Sequence, residues 1–167
     1  MSGSPQVLIV GAGPTGLAAA LFLARKGVAV RIVDAAPEPE PTSRALGVNP
    51  RTLDLLQDTG VTARILAEAQ PIRALKLHHH GRPLVSVTPD WAALGAHHPM
   101  VILPQARSEA LLAEALAEQG VVPERGKTLT GVTPGAQAVT ATFADGETAS
   151  APLLFAADGA HSVVRHC

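Results

Sequence analysis

The spacing of apolar residues predicts a strand, a helix and a second strand in the first part of the chain. Residues 6–10 (QVLIV) form a short β-branched apolar run, which is typical of a buried parallel strand. Apolar side chains then recur at helical spacing up to Gly27, a residue suited to end a helix. The positions predicted to face inward are Leu17, Ala20, Leu21 and Ala24. Residues 28–34 (VAVRIVD) give a second strand, so the three elements predict a right-handed βαβ unit.

A proline-rich stretch, residues 35–48, follows this unit and indicates an extended surface loop. The next segment carries the residues that usually delimit a helix: Asn49 suits the N-cap, Pro50 the first helical position and Gly60 the end. Residues 61–70 (VTARILAEAQ) predict a second short helix.

The pattern changes between residues 71 and 104, where alternating apolar and polar positions predict antiparallel strands. Residues 74–89 predict a hairpin that turns at Gly81, and residues 100–104 (MVILP) predict another strand. Helical spacing returns in residues 105–120. The inward positions predicted for that helix are Leu111, Leu112, Ala115 and Leu116, with Gly120 as its stop.

The last part of the chain predicts strands again. Residues 127–151 contain strand patterns, including a hairpin that turns at Asp145 and Gly146. Residues 153–157 (LLFAA) predict a final buried strand, and a tight turn and the first turn of a helix follow it.

Composition narrows the class of protein. The chain has 167 residues, of which 47% are hydrophobic, enough for one domain with a sizeable core. A formal net charge of -1 without a basic block argues against a nucleic-acid partner. Cys167 is the single cysteine, which leaves no internal disulfide and favours a cytoplasmic protein. No apolar run reaches the ~18 residues that a membrane-spanning helix needs.

The glycine pattern between the first strand and the first helix is the first candidate for chemistry. Gly11, Gly13 and Gly16 form G-x-G-x-x-G, in which the glycines allow a tight turn, the approach of a pyrophosphate and close helix–strand packing. Asp34 ends the second strand about 20 residues later, where a carboxylate can bind a ribose hydroxyl. The pattern predicts a dinucleotide site; the alternative is a glycine-rich turn with a surface aspartate. The dinucleotide is NAD or FAD.

Four segments in order decide between these two, because together they resemble one family. They are VLIVGAGPTGLAAALFLARKGVAVRIVD, SRALGVNPRTLDLL, LPQARSEALLAEAL and LLFAADGAHSVVR. They resemble the N-terminal part of the FAD-dependent aromatic-ring hydroxylases, the para-hydroxybenzoate hydroxylase-like single-component flavin monooxygenases. The resemblance covers nearly the whole chain. It implies an α/β, Rossmann-like FAD/NAD(P)-binding fold with an antiparallel β excursion.

The resemblance also implies a set of cofactor-binding residues. They are Gly11, Gly13, Thr15, Gly16, Asp34, Ala35, Arg44, Gln105, Leu129, Asp158 and Gly159. The glycines and Thr15 would hold the pyrophosphate, and Asp34 would hold the adenosine ribose, which favours FAD or ADP over NADP at this motif. No catalytic residue is assigned within the chain.

Several of these implied roles have a plainer alternative. Arg44 would reach the cofactor, and the alternative is a solvated loop arginine. Gln105 would lie near the flavin, and the alternative is a helix-capping residue. The backbone of Leu129 would meet the adenine edge, and the alternative is a core leucine. Asp158 and Gly159 would form a second fingerprint near the pyrophosphate that is linked to NAD(P)H use.

The implied activity is hydroxylation of an aromatic, phenolic or polyketide substrate. FAD, reduced by NADPH or NADH, would transfer one oxygen atom of O2 to an electron-rich ring, while the protein positions the substrate and excludes water. Two alternatives stay open. One is an FAD-dependent reductase or isoprenoid-modifying enzyme of the same fold, and the other is a non-catalytic nucleotide-binding module.

The family comparison also predicts the extent of the domain. Residues 1–167 would be the N-terminal portion of the FAD-binding domain, and residues 71–104 the first strands of an otherwise missing substrate domain. The chain would then be a truncated gene product, an engineered fragment or one piece of a split protein. Alone it would be incomplete for catalysis, and its exposed apolar surface would favour a homo-oligomer or association with a missing C-terminal part.

Metal chemistry is not expected. His78, His79 and His80 resemble a metal-binding tract, but in a strand the His79 side chain would point away from its two neighbours. Surface histidines are the favoured interpretation, because no cysteine or acidic cluster completes a zinc site.

Overall fold

The computed structural model describes residues 4–39, 41 and 46–166. It divides the chain into two compact units. The first combines Met1–Thr42 with Ser108–Cys167, and the second is Ser43–Arg107.

Eleven strands and four α-helices are formed by the described residues. The strands are β1 (Val7–Val10), β2 (Val30–Val33), β3 (Gly47–Val48), β4 (Gln70–Pro71), β5 (Leu75–His79), β6 (Arg82–Val87), β7 (Val101–Ile102), β8 (Leu129–Pro134), β9 (Val139–Phe143), β10 (Thr148–Ala151) and β11 (Leu153–Ala156). The helices are α1 (Pro14–Arg25), α2 (Pro50–Leu56), α3 (Val61–Glu68) and α4 (Gln105–Ala117). Short 3₁₀ turns cover Gln57–Thr59 and Val164–His166.

The first unit is built on a parallel sheet in the order β11-β1-β2. The central strand β1 is buried along its whole length, as its unbroken apolar run predicts. Its register places Val7 beside Val30 on one side and beside Leu153 on the other. The predicted βαβ unit is therefore confirmed, with α1 connecting two parallel neighbours.

A second, antiparallel sheet in the order β10-β9-β8 covers one face of the parallel sheet. Leu8 and Val10 of β1 and Val33 of β2 join a buried cluster with Leu129 and Phe143 of the antiparallel strands. Ile9 and Ile32 alternate with those residues and point to the opposite face, and α1 contacts both β1 and β2. The first unit thus comprises the two sheets, helix α1 and most of helix α4, with buried side chains on both faces of the parallel sheet.

The second unit contains two helices and two small sheets. Helix α2 begins as predicted, since the Asn49 side chain accepts a hydrogen bond from the Thr52 N–H at 2.8 Å and Pro50 occupies the first position. Leu53, Leu56 and Ile65 supply buried side chains. Strand β7 pairs antiparallel with β3 and β4, and β5 pairs antiparallel with β6 as the predicted hairpin.

The inward positions predicted for the helices are largely confirmed. In α1 the buried side chains include Leu17, Ala20 and Leu21, while Ala24 is only half-buried. In α4 they include all four predicted residues, Leu111, Leu112, Ala115 and Leu116. Gly27, Gly60 and Gly120 follow helix ends with positive φ, as the sequence predicted. The predicted α/β class is confirmed.

The predicted burial of the last strand is wrong. Leu153 is 64% exposed and Phe155 is 40% exposed, although both lie in a regular strand. Strand β11 lies at the edge of the parallel sheet and has β1 as its neighbour. Its apolar sequence therefore did not mean that other elements pack on both of its faces. Leu154, which points the other way, is half-buried and packs against the core cluster.

The expected geometry of the histidine tract is also wrong at one position. His80 lies in the turn with a φ of 47°, beyond the end of β5, so strand alternation does not apply to it. Its ring contacts that of His79 edge to face, with 4.3 Å between centroids. All three histidines are exposed, and the described residues contain no cluster of three or more metal-ligating side chains.

Among the helices of the described residues, none is both long enough and apolar enough to cross a membrane.

Candidate functional site

The carboxyl ends of the three parallel strands bring the sequence motifs together. Gly11 follows β1, Asp34 follows β2, and Ala157 and Asp158 follow β11. Because parallel strands all end at the same edge of a sheet, residues far apart in the chain meet there. The Gly11 N–H donates to the Val33 carbonyl at 2.8 Å, and the Ala157 N–H donates to the Val10 carbonyl at 2.7 Å.

Gly11 and Gly16 are required by the chain's own packing. Gly11 has a φ of 103°, and a Cβ on it would lie 2.2 Å from the Ala157 carbonyl oxygen. A Cβ on Gly16 would lie 1.8 Å from the Gly11 carbonyl oxygen. Neither position has room for a side chain, because the loop, helix α1 and the end of β11 approach each other at backbone distance.

Gly13 differs from these two glycines. A Cβ built on it would meet nothing within 4 Å, and its backbone is in an ordinary extended conformation. Packing within the described chain gives no reason for a glycine there. The missing side chain leaves an open approach to the backbone at the start of α1.

The N-terminus of α1 is suited to an anion. Gly13 is the N-cap, Pro14 occupies the first position, and the Leu17 N–H bonds the Gly13 carbonyl at 2.9 Å. Within the part of the chain that the structure describes, no side chain caps this end and no acidic residue lies in its first turn. Backbone N–H groups and the positive end of the helix dipole therefore face the opening at Gly13.

Asp34 connects the strand end to the glycine loop. Its Oδ2 accepts a hydrogen bond from the Ala12 N–H at 2.5 Å, and its Oδ1 accepts one from the Ala36 N–H at 2.8 Å. The side chain is 18% exposed, so the carboxylate still reaches the surface of the site. A carboxylate held in this way can accept a hydrogen bond from a hydroxyl brought against the loop.

Arg125 lies beside Asp34 and was not among the residues predicted from the sequence. One guanidinium nitrogen, Nη1, is 3.7 Å from Asp34 Oδ1, and the arginine side chain is 21% exposed. It begins the stretch RGKTLTG around Leu129, but the family resemblance gave the arginine no role. Only the fold brings this segment to the end of β2, so no signal in the sequence alone identifies the residue.

The Asp158 carboxylate is directed at its own chain. It accepts the Val164 N–H at 3.2 Å, and the Arg165 N–H donates to the buried Ser162 hydroxyl oxygen at 3.1 Å. Burial alone would raise the pKa of Asp158, but hydrogen bonds from Ser162 and from backbone N–H groups outweigh it and lower that pKa. The carboxylate thus stabilises the turn of the second motif.

The other predicted site residues are distributed more widely. Thr15 is exposed in the first turn of α1, and Ala35 is exposed directly after Asp34. The Leu129 side chain belongs to the core cluster, as its alternative interpretation held; the predicted role of its backbone stays a prediction. Gln105 is the first residue of α4 and belongs to the second unit. Arg44 lies outside the described residues.

A diphosphate-bearing nucleotide fits the features of the first unit. The open backbone at Gly13 and the uncapped helix end suit phosphate oxygens, and Asp34 suits a ribose hydroxyl. Gly11, Gly13, Gly16 and Asp34 lie together at this edge of the sheet, and their predicted role toward a nucleotide stays a prediction. Asp158 and Gly159 lie at the same sheet edge, where the Gly159 backbone has a φ of 78°.

Comparison with known proteins gives an independent result. A family model described as "FAD binding domain" matches residues 4–167. The chain is 40% identical over 165 residues to 6-methylpretetramide 4-monooxygenase of Streptomyces rimosus, covering 96% of this chain and 30% of that protein. It is 35% identical over 168 residues to a rifampicin monooxygenase of Rhodococcus hoagii, covering 96% of this chain and 33% of that protein.

A solved structure is also similar. Aklavinone-11 hydroxylase in a ternary complex with FAD and aklavinone superposes with a TM-score of 0.86 at 32% identity, over 99% of this chain and 35% of that chain. The chain therefore spans about a third of the length of the relatives and the structure that it matches.

Proposed function

Because the chain belongs to the FAD binding domain family, we propose that it is the FAD-binding part of a flavin-dependent monooxygenase that hydroxylates an aromatic or polyketide ring. The observation that carries the nucleotide site is the contrast among the three glycines. Gly11 and Gly16 are filled by the chain itself, whereas Gly13 opens to the surface beside an uncapped helix and a strand-end carboxylate. Relatives named as monooxygenases support the reaction class.

In this proposal each group of the site has one task toward FAD. The N–H groups at the start of α1 bind the pyrophosphate, and Gly13 lets it approach the backbone. Asp34 accepts a hydrogen bond from an adenosine ribose hydroxyl while its two existing hydrogen bonds hold it in place. The turn at Asp158 and Gly159 borders the same edge of the sheet and limits the space around the phosphates.

The hydroxylation itself depends on the cofactor. When bound, FAD supplies the chemistry that reduces O2 and transfers one oxygen atom to the ring, with NADPH or NADH as the proposed source of electrons. The residues described here bind and orient the nucleotide half. Gln105 and Arg44 as further contacts to the cofactor belong to the same proposal.

A titration with parts of the cofactor tests the nucleotide site. The purified chain is titrated with FAD, ADP, NADP and FMN, and bound ligand is measured by calorimetry. ADP carries the groups assigned to the loop and Asp34, so we expect it to compete with FAD, while FMN, which lacks the adenosine, binds at least about tenfold more weakly. NADP should also bind more weakly, because its 2′-phosphate faces the Asp34 carboxylate. Equal affinity for FMN and ADP would contradict the assignment.

Substitution of Asp34 tests whether its carboxylate contributes to FAD binding. Asp34→Ala should weaken binding of FAD by about 1–3 kcal/mol, the cost of losing a charge-assisted hydrogen bond. The comparison variant Asp145→Ala removes an exposed carboxylate of the same unit that pairs with Lys127 in the turn between β9 and β10, and it should leave FAD affinity unchanged. An Asp34→Ala protein with unaltered FAD affinity would remove Asp34 from the site.

A further inference from the structure

We propose that Arg125 is a specificity-determining residue of the ribose site, which together with Asp34 sets the response to a phosphate on the adenosine 2′-oxygen. The proposal rests on the proposed nucleotide-binding function and deepens it. Its basis is the contact between the two side chains, with Arg125 Nη1 3.7 Å from Asp34 Oδ1 at the carboxyl edge of the parallel sheet.

The position of Arg125 is fixed by backbone hydrogen bonds on both sides of it. The Asp34 N–H donates to the Glu124 carbonyl at 2.8 Å, and the Lys127 N–H donates to the Asp34 carbonyl at 2.8 Å. Glu124 forms an isolated parallel bridge with Val33. The segment that carries Arg125 therefore extends the sheet beyond β2 and delivers the guanidinium to the strand end that carries Asp34.

A bidentate ion pair between Arg31 and Glu124 also holds the segment that carries Arg125. Arg31 of β2 donates to both oxygens of Glu124, at 2.8 and 2.7 Å. Hydrogen bonding to Glu124 outweighs the opposing effect of burial and raises the pKa of Arg31, so this cation stays charged at any working pH. Arg125 is consequently carried on a rigid support rather than on an independent loop.

The contact between Arg125 and Asp34 is an ion pair without hydrogen-bond geometry. The distance of 3.7 Å between Nη1 and Oδ1 is longer than a hydrogen bond. The ion pair with Asp34 therefore occupies none of the five N–H donors of the guanidinium. The carboxylate is already anchored by the Ala12 and Ala36 N–H groups. A planar guanidinium beside the ribose site is the group that binds phosphate best, and the adjacent Asp34 carboxylate opposes that binding.

Ribose sites of dinucleotide-binding folds normally carry either a carboxylate or an arginine. A carboxylate binds a free 2′-hydroxyl, and a nearby arginine accommodates a 2′-phosphate. Here both groups are present at one strand end. The Asp34 carboxylate repels a 2′-phosphate and Arg125 partly offsets that repulsion. Once the carboxylate is neutralised, Arg125 becomes the receptor of the phosphate.

The test compares ADP with 2′,5′-ADP, which differ in the position of one phosphate and probe the ribose directly. The proteins are wild type, Asp34→Asn, Arg125→Ala and the double variant, with Arg25→Ala as the control. Arg25 is an exposed cation at the opposite end of α1, so its removal changes the net charge equally. Affinities are measured by calorimetry, and thermal melting reports folding.

Asp34→Asn should shift the preference toward 2′,5′-ADP by about tenfold or more, and adding Arg125→Ala should remove that gain. Arg125→Ala alone should weaken 2′,5′-ADP about tenfold while changing ADP affinity by less than about threefold, whereas a purely structural residue would weaken both ligands equally. This single variant decides the question if Asp34→Asn does not fold. Arg25→Ala should keep the wild-type preference.

Two results would overturn the proposal and separate its causes. If wild type binds ADP but neither Arg125 variant changes the ratio of the two affinities, Arg125 has no role in specificity and the proposed function stands. If wild type binds neither ADP nor FAD, the nucleotide site itself is wrong, and the role of Arg125 falls with it.

Discussion

The end of the parallel sheet in the first unit and the β5–β6 hairpin in the second unit use their residues in opposite ways. At the sheet end, glycine backbones pack at distances that admit no Cβ, and Asp34 bonds two backbone N–H groups. In the hairpin every residue is exposed, including Leu75, Leu77 and Leu84. The first region can hold a ligand in fixed geometry, whereas the second gains little from its apolar side chains within the described chain.

The contrast shows that apolar character and structural importance are separate properties. Leu77 is more hydrophobic than Gly16, yet it is 58% exposed, and its removal leaves no cavity. Gly16 has no side chain to bury, and its lack of one permits the closest contact of the site. Stability in this protein should therefore be most sensitive where backbones meet.

The largest effect is expected from a side chain at Gly16. Gly16→Val would place a Cβ 1.8 Å from the Gly11 carbonyl oxygen, which cannot move without disturbing β1 and the end of β11. We expect a loss of more than about 3 kcal/mol in the free energy of unfolding, measured by denaturant titration. Gly131→Ala is the matched control, because its Cβ would meet nothing within 4 Å and should cost less than about 1 kcal/mol. A Gly16→Val protein as stable as the control would mean that the backbone contact at Gly16 does not limit stability.

A smaller effect is expected at the second motif, and it should depend on pH. The pKa of Asp158 is lowered in the folded chain, so the Asp158 carboxylate stabilises the fold at neutral pH. This stabilisation is lost below about pH 4, as the pH falls through the lowered pKa and the carboxylate is protonated. Asp158→Asn should destabilise the chain by about 1 kcal/mol at pH 7, as for a lost helix cap, and the deficit should shrink in acid.

Ser162→Ala is a second variant that tests the stability of the same turn. It removes the hydroxyl that donates to Asp158 and accepts from the Arg165 N–H. Unfolding curves between pH 3 and pH 7 should show a smaller rise in stability with pH for both variants than for wild type. A deficit that is equal at all pH values would mean that the Asp158 charge does not stabilise the turn.

The smallest effect is expected in the hairpin. Leu77→Ser should change the free energy of unfolding by less than about 0.5 kcal/mol, because the side chain is already exposed. Leu53→Ala in the same unit is the control, since a fully buried leucine should cost about 2–5 kcal/mol. If Leu77→Ser is as damaging as Leu53→Ala, the hairpin packs against apolar surface in solution.

Much of the fold was predictable because its signals are local. The apolar run of β1, the glycine spacing and the Asn49–Pro50 helix start each specify a conformation through neighbouring residues. The burial of β11 was not predictable, because it depends on which elements cover an edge strand. His80 was misjudged for a similar reason: the turn ends the strand one residue earlier than its sequence indicates.

The placement of the candidate site residues was predictable in part for the same physical reason. Gly11, Gly16 and Asp34 belong to one βαβ unit, whose spacing is a local property of the chain. Arg125 reaches Asp34 only because its segment adds to the sheet beside β2. A contact of this kind is set by tertiary structure and leaves no pattern in the sequence.

The proposed nucleotide site requires that the opening at Gly13 serves a bound nucleotide and is not needed by the fold. Gly13→Val should melt within a few degrees of wild type, because its Cβ meets no other atom and the backbone is extended. Titration of both proteins with FAD should then show binding by wild type and at least about a hundredfold weaker binding by the valine variant, whose side chain occupies the path of the pyrophosphate. Equal FAD affinity in two equally stable proteins would mean that Gly13 does not admit the pyrophosphate.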